Sequence, residues 1–386
     1  HKVNTLVKPP WFHILTAEGK VPLLYHEGRL IDDSSQIVSY LQQRFPKAHA
    51  VRRRAQLPLL LSEGQLTAFG GVFREWLTGA PTVGAPASVR WTRGAKVAGE
   101  LAAAGAFEEA VGLLRRQIGL VDAAPLRGPL RAAYTASRGA LPSGSGLPPA
   151  TIFFSRTEEL PAVATGTVVL LRERLVAAQG MVTQGRFREA HQAMEGILAA
   201  VPLLVAKSPQ EEAEAAKILS YAREYVVGMQ LQMAQAAAKR SGDVARTSQA
   251  AVLFTYCGLA PAHVQLALKA AMKVAYGDKN LVLASSCARR LLETSPKPDV
   301  AGMARKMIQY CDRNPTNAVE VDCDERRTFV VDAGELVPLY AGDARTTCAF
   351  CGAVYATATA PETCKVCRMG GVGTASTGLK VLSPNA

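Results

Sequence analysis

The rhythm of hydrophobic positions changes three times along the chain. Residues 1 to 46 mix short β-like runs, "VPLLYHEGRLI", with the helix-like "SSQIVSYLQQRF", which stops before Pro46 and predicts an α/β segment. The next forty residues show no clear period, and "APTVGAPASVRWTRG" at 80 to 94, rich in Pro, Gly and small residues, predicts a linker or extended arm. From 95 to 320 Ala, Leu, Glu, Arg and Gln dominate, with apolar positions at helical spacing and a loop expected at "GALPSGSGLPPA", 139 to 150. After Pro315, short runs of Val, Thr, Tyr, Gly and Cys predict a small terminal β domain. The expected organisation is an N-terminal segment and connector over 1–80, a helical region over 81–320, and a β domain over 321–386.

Within the helical region a short phrase recurs: "GAFEEAVGLLRRQIG" from 105, "GRFREAHQAMEGILAAVPLL" from 185 and "KNLVLASSCARRLLETSPKP" from 279. Each starts at a turn-forming residue, continues with an apolar residue and then a small Ala, as in the second helix of a tetratricopeptide hairpin. The copies stand roughly 80 to 95 residues apart, against a repeat of about 34, so the pattern predicts a distorted α-solenoid with atypical hairpins between them. The alternative is that any Ala-rich helix resembles this phrase.

Composition narrows the function classes. With 48% hydrophobic and 20% charged residues, the 386-residue chain can bury a large core. Its longest apolar runs, "TGTVVLL" and "EGILAAVPLLVA", fall short of the roughly 20 residues that cross a bilayer. No charged-then-apolar leader follows His1, so no secretory signal is read. The net charge of +12 suits an acidic partner, anionic lipid or nucleic acid, yet "VRRRA" at 51 to 55 is the one tight basic cluster. His191 and His263, the histidines of the helical region, each stand alone on a helix and are expected to be structural. "ARRLLE" and "AREYVVG" could anchor a partner, although packing is the commoner use of such residues.

All eight cysteines lie beyond residue 256. Cys257, Cys287, Cys311 and Cys323 sit singly among apolar neighbours and are expected in the core of a protein in a reducing compartment. Cys348, Cys351, Cys364 and Cys367 form two C-x-x-C pairs, "CAFCGAVYATATAPETCKVC". Four thiolates at this spacing suit a structural Zn ion in tetrahedral coordination, with Tyr355 and the Thr/Ala run between the pairs expected to form a β-hairpin. Neither pair has the strand-to-helix setting that activates a redox thiol. A filled four-thiolate site leaves no open position for hydrolysis. Nucleic-acid reading by the ribbon is the alternative, but only Lys365 and Arg368 adjoin it.

From "SVRWTRG" onward the chain resembles the C-terminal region of the alpha subunit of coatomer, the COPI vesicle coat. The resemblance runs in order through "GAFEEAVGLLRRQIGLV", "GRFREAHQAMEGILAAVPLLV", "AREYVVG", "FTYCGLAPAHVQLALKAAM", "ARRLLETSPKPDVAGMARKMIQYCDRNPTNAVEVD", "VPLYAG" and "GLKVLSP". It implies a mainly α, TPR-like region with a compact β domain that binds the epsilon subunit of coatomer. It also implies a non-enzymatic cytoplasmic coat component held peripherally, with other coatomer subunits, on the Golgi membrane for Golgi-to-ER and intra-Golgi transport. The WD-repeat propellers that read cargo in that family are not in this sequence, so cargo recognition is not assigned to it.

Residues 1 to 46 resemble something else. "KPPWFHILTAEGKVPLLYHEGRLIDDSSQIVSYLQQRFP" is similar to the second half of the thioredoxin-like domain of glutathione transferases, in the style of dehydroascorbate reductases. That resemblance implies a glutathione contact at Lys20, at the Val21–Pro22 turn and at the Asp33–Ser34 pair. The family's nucleophile would precede His1, and no cysteine precedes residue 257, so no catalytic residue is placed. A glutathione-dependent transferase or reductase is therefore the alternative to a coat scaffold, with a zinc-ribbon nucleic-acid binder third.

Overall fold

The computed structural model describes residues 24–26, 29–31, 34–44, 87–141, 150–157, 159–164 and 166–383. The chain divides into two compact units, one of His1–Arg74 with Ala140–Ala150, the other of Glu75–Gly139 with Thr151–Ala386. In the first unit, β1 (Leu24–His26) pairs antiparallel with β2 (Arg29–Ile31), and α1 (Ser34–Arg44) follows. The β-then-helix order expected from the sequence is present there.

The second unit begins with α2 (Ala87–Gly94), α3 (Ala98–Ala104), α4 (Phe107–Ile118) and α5 (Arg127–Ala136). A portion of the stretch expected to be a linker, 87 to 94, is thus helical. Its Trp91 is fully buried and meets Phe153 edge-on at 5.8 Å, so one indole outweighs a Pro/Gly-rich surrounding. The strands β3 (Arg138–Leu141) and β4 (Ala150–Phe153) flank the expected loop, most of which lies outside the described residues. Short strands β5 (Ser155–Thr157) and β6 (Leu160–Pro161) pair next.

Seven further helices follow: α6 (Val168–Thr183), α7 (Phe187–Ala200), α8 (Pro209–Ser241), α9 (Val244–Phe254), α10 (Pro261–Gly277), α11 (Leu281–Glu293) and α12 (Pro298–Cys311). Thr167, Ser208 and Asp243 cap α6, α8 and α9 through side-chain oxygens that accept first-turn amides. Successive helices pack on one another. In addition, Arg172 of α6 reaches Glu214 of α8 at 3.1 Å, Tyr225 of α8 reaches His263 of α10 at 2.6 Å, and Tyr276 of α10 meets Tyr310 of α12 at 5.5 Å between ring centroids. Alternate helices α6, α8, α10 and α12 therefore lie side by side, a two-layered solenoid as expected.

The recurring phrase has a clear physical basis. Each copy begins where the preceding helix ends in the left-handed region, at Gly105 (φ 88°), Gly185 (φ 74°) and Lys279 (φ 61°). Each then closes the same backbone bond: the next amide, of Ala106, Arg186 or Asn280, donates back to Leu101, Met181 or Ala275. Ala110, Ala190 and Ala284 are all fully buried where the paired helices meet. A fourth copy, inconspicuous in the sequence, turns at Gly242 (φ 75°) with Thr247 in place of the alanine. Gly242 and Lys279 stand about one tetratricopeptide period apart. Lys279 carries a Cβ where the other three have none. Lys279→Gly should relieve up to about 1 kcal/mol of backbone strain and raise the melting temperature, checked by thermal unfolding.

The last stretch of the chain holds two antiparallel pairs, β7 (Phe329–Val331) with β8 (Pro338–Tyr340), and β9 (Arg345–Thr347) with β10 (Val354–Ala356). The hairpin does not fall between the two cysteine pairs as expected: it closes around the first pair, and Thr357–Thr359 forms a single 3-10 turn instead. Because the first knuckle is itself a tight turn, it occupies the hairpin's end. The terminal residues then run back along the helices. Val121 and Asp122 donate to Met369 O, Gly371 donates to Gly119 O, Ala206 donates to Val381 O, and Ser383 Oγ donates to Glu100 at 2.8 Å. Residues of the knuckles and of α3 to α10 share one apolar cluster, while α9 to α12 build a second around Leu268, Met272 and Leu291.

Candidate metal centre

Two tight turns build the site. In the first, Gly352 N donates to Cys348 O at 3.1 Å; in the second, Arg368 N donates to Cys364 O at 2.9 Å. Gly352 (φ 71°) and Arg368 (φ 59°) both take the left-handed conformation immediately after the second cysteine, so the knuckles are near copies. Within each turn an amide points at the leading sulfur: Phe350 N to Cys348 Sγ and Val366 N to Cys364 Sγ, both 3.4 Å. These bonds stabilise a thiolate.

The four sulfurs lie within 4.8 Å of one another, all on buried residues. Cys348 and Cys367 are 3.7 Å apart, and Cys351 and Cys364 3.6 Å. Four thiolates at roughly 2.3 Å from a zinc ion stand about 3.8 Å from one another, so the observed spacing fits such an ion. The thiols influence each other strongly. Hydrogen bonding, with Cys351 the largest contributor at Cys348 and Cys348 at Cys364, holds Cys348 and Cys364 below the usual thiol value, while contact with Cys348 pushes Cys351 and Cys367 up. Without a cation only some of the set can ionise; a divalent ion allows all four to do so.

The sequence locates the four ligand candidates but not the groups that orient them. Tyr355, fully buried, donates its hydroxyl to Cys364 Sγ at 3.1 Å and accepts from Lys365 N at 2.9 Å. Burial, then the Cys364 charge, pushes its phenol far up, so it stays a donor. From α8, Arg223 Nη1 donates to Cys351 O at 3.1 Å, and Arg368 Nε meets Glu195 of α7 at 2.9 Å. The signal for Tyr355 is present in the sequence, a lone aromatic between two C-x-x-C pairs; for Arg223 and Glu195, far away along the chain, there is none.

The remaining candidates are placed as follows. Lys20, Val21, Pro22 and Asp33 lie outside the described residues, and Ser34 is the first residue of α1. His263 is structural: Tyr225 meets Nδ1 at 2.6 Å and Thr183 meets Nε2 at 2.9 Å, and burial holds the ring below its usual value. His191 is buried against Glu195 at 3.5 Å, and burial, the largest influence, lowers it also. Tyr225, Arg289 and Arg290 of the possible anchor motifs bond within the chain, Arg290 to Glu325 at 3.1 Å and Arg289 to Asp312 at 2.6 Å. Cys257, Cys287 and Cys311 are buried as expected, while Cys323 is only partly covered. Burial pushes the Cys287 and Cys323 thiols up to about 12.

Comparison with known proteins extends the picture. Residues 1–61 match the family described as glutathione S-transferase, N-terminal domain, and residues 70–385 match that of the C-terminus of the coatomer (COPI) alpha subunit. The chain is similar to coatomer subunit alpha-1 of Arabidopsis thaliana, 34% identical over 307 residues, covering 78% of this chain and 25% of the relative. It is also similar to coatomer subunit alpha of Dictyostelium discoideum, 29% identical over 309 residues with the same coverage. Coatomer subunit alpha of Saccharomyces cerevisiae matches at 26% over 299 residues, 75% of this chain and 25% of the relative. The chain spans about a quarter of the length of the curated relatives it matches. Both resemblances read from the sequence are thus borne out, and over its helical array, its cysteine knuckles and its returning tail the chain belongs to the family of the C-terminal region of the coatomer (COPI) alpha subunit.

Proposed function

We propose that this chain is a non-enzymatic scaffold segment of the COPI vesicle coat that binds the coatomer epsilon subunit. The carrying observation is the family match over 70–385, which spans the helical array and the knuckles together. Through that subunit and its coat neighbours the chain would act at the cytosolic face of Golgi membranes, in Golgi-to-ER and intra-Golgi transport. Among the described residues no helix is long and apolar enough to cross a membrane, which agrees with peripheral attachment. Stacked helices offer broad surfaces for proteins rather than pockets for chemistry. The full chain should retain purified epsilon subunit on beads; failure of the folded chain to do so overturns the reading.

Cys348, Cys351, Cys364 and Cys367 hold a zinc ion in this reading. The ion would be structural, joining two knuckles whose thiols otherwise oppose each other's ionisation. Metal analysis in reducing buffer should return about one zinc per chain, and less than about half an equivalent contradicts a four-thiolate site. A second reading, glutathione binding by the N-terminal segment, is favoured by the match over residues 1–61. It requires retention on glutathione resin that Ser34→Ala removes.

A further inference from the structure

Among the described residues, the final helix hairpin leaves one face without a neighbour. Of its fourteen residues α12 buries only Ala301, Ala304 and Cys311. The opposite side faces an open groove of about 640 Å³, where Tyr276 of α10 confronts Met303, Lys306, Met307 and Tyr310 of α12. Tyr310, at the groove's edge, is 52% exposed. Gly302 lies in the groove, and a Cβ built there meets nothing within 4 Å.

Charge distinguishes this groove from an ordinary surface depression. Lys269 and Lys273 precede Tyr276 by seven and three residues, so they flank it on the same side of α10. On α12, Lys306 lines the groove itself, while Arg305, the next residue, projects about 100° away around the helix. None of the four makes an ion pair among the described residues, in contrast to Arg289 and Arg290 on the intervening helix. Among the described residues the groove lining holds one acidic residue, Asp299 at the N-terminal end of α12, and one basic residue, Lys306, with Lys269 and Lys273 beyond its edge.

We propose that this groove docks a short, acidic, amphipathic helix of a partner protein. Its apolar side chains enter between the two tyrosines and two methionines, whose adaptable thioethers suit such insertion. Its carboxylates meet Lys269, Lys273 and Lys306. The length of α12 sets the partner segment at about 21 Å, or four turns. A flat anionic bilayer would touch the ridges and leave the recessed methionines uncovered. A second copy of this chain would bring two basic rows together. The inference stands on the groove and not on the coat assignment.

The test uses the full chain and two fluorescein-labelled peptides of about 16 residues. Both carry leucines at i, i+3, i+4 and i+7, with glutamates or with lysines at the remaining positions. Anisotropy should show the glutamate peptide bound, more tightly at low salt, and the lysine peptide at least about tenfold weaker. Gly302→Trp, which fills the groove from an unobstructed position, should weaken the glutamate peptide at least about tenfold while thermal unfolding is unchanged. Lys273→Glu with Lys306→Glu should invert the peptide preference. Equal binding by Gly302→Trp, or no binding at low salt, overturns the proposal. So does a groove-dependent attachment to phosphatidylserine vesicles, or groove-dependent self-association in sedimentation, with the peptide unbound.

Discussion

Removing the zinc ion proposed for the four thiolates, by chelation or by Cys351→Ala, is expected to loosen the helical array as well as the cysteine knuckles. The knuckles are not a separate bead at the end of the chain. Arg223 of α8 holds Cys351 O, Arg368 meets Glu195 of α7, and the residues after Cys367 supply backbone partners to Gly119, Val121 and Ala206. Structural zinc contributes its binding energy to folding, on the order of 10 kcal/mol in small zinc modules. Loss of even half of that would free the returning tail and expose the ends of α4 and α7. Hydrogen exchange should therefore quicken at Val121, Ala206 and Gly371 together with the knuckle amides. An acceleration confined to residues 348–370 would sink the coupling and leave only a local staple.

The second large effect concerns the carboxylate of Glu100, which is fully buried in α3. Its Oε1 accepts from Arg156 Nη2 at 2.9 Å and from Ser383 Oγ at 2.8 Å. Arg156 is also within 3.1 Å of Ser383 Oγ, so three segments far apart in sequence meet at one charge. Arg156→Met leaves that charge buried without its cation and should cost about 3 to 5 kcal/mol, read by denaturant unfolding. Glu100→Gln in the same background should restore most of the loss, because the double variant buries no charge. If the two changes simply add, the ion pair carries no such burden and the expectation fails.

How much of this is legible in the sequence differs by element. The helical hairpins can be read because Gly105 and Gly185 mark left-handed turns and Ala110, Ala190 and Ala284 repeat at the contact position. The fourth hairpin is harder to see because Thr247 stands at the position that alanine takes in the other copies. Helix α2 is hidden by its Pro- and Gly-rich setting, and its anchor, the buried Trp91, is a tertiary contact. The C-x-x-C pairs declare their own geometry, since a knuckle is local. The hairpin is not legible between the pairs because β9 precedes the first of them, outside that span.

By itself, then, the sequence determined what depends on near neighbours along the chain: helical period, left-handed turns and the spacing of four thiols. It also carried the family resemblance, through ordered phrases that survive divergence. The tertiary structure alone decided that the tail runs back to Glu100, that α7 and α8 brace the knuckles, and that Tyr276, Met303, Met307 and Tyr310 line a groove between α10 and α12. Those contacts join residues far apart along the chain, as between Arg223 and Cys351. No local pattern specifies such pairings; they arise when apolar faces choose partners and buried polar groups must find theirs.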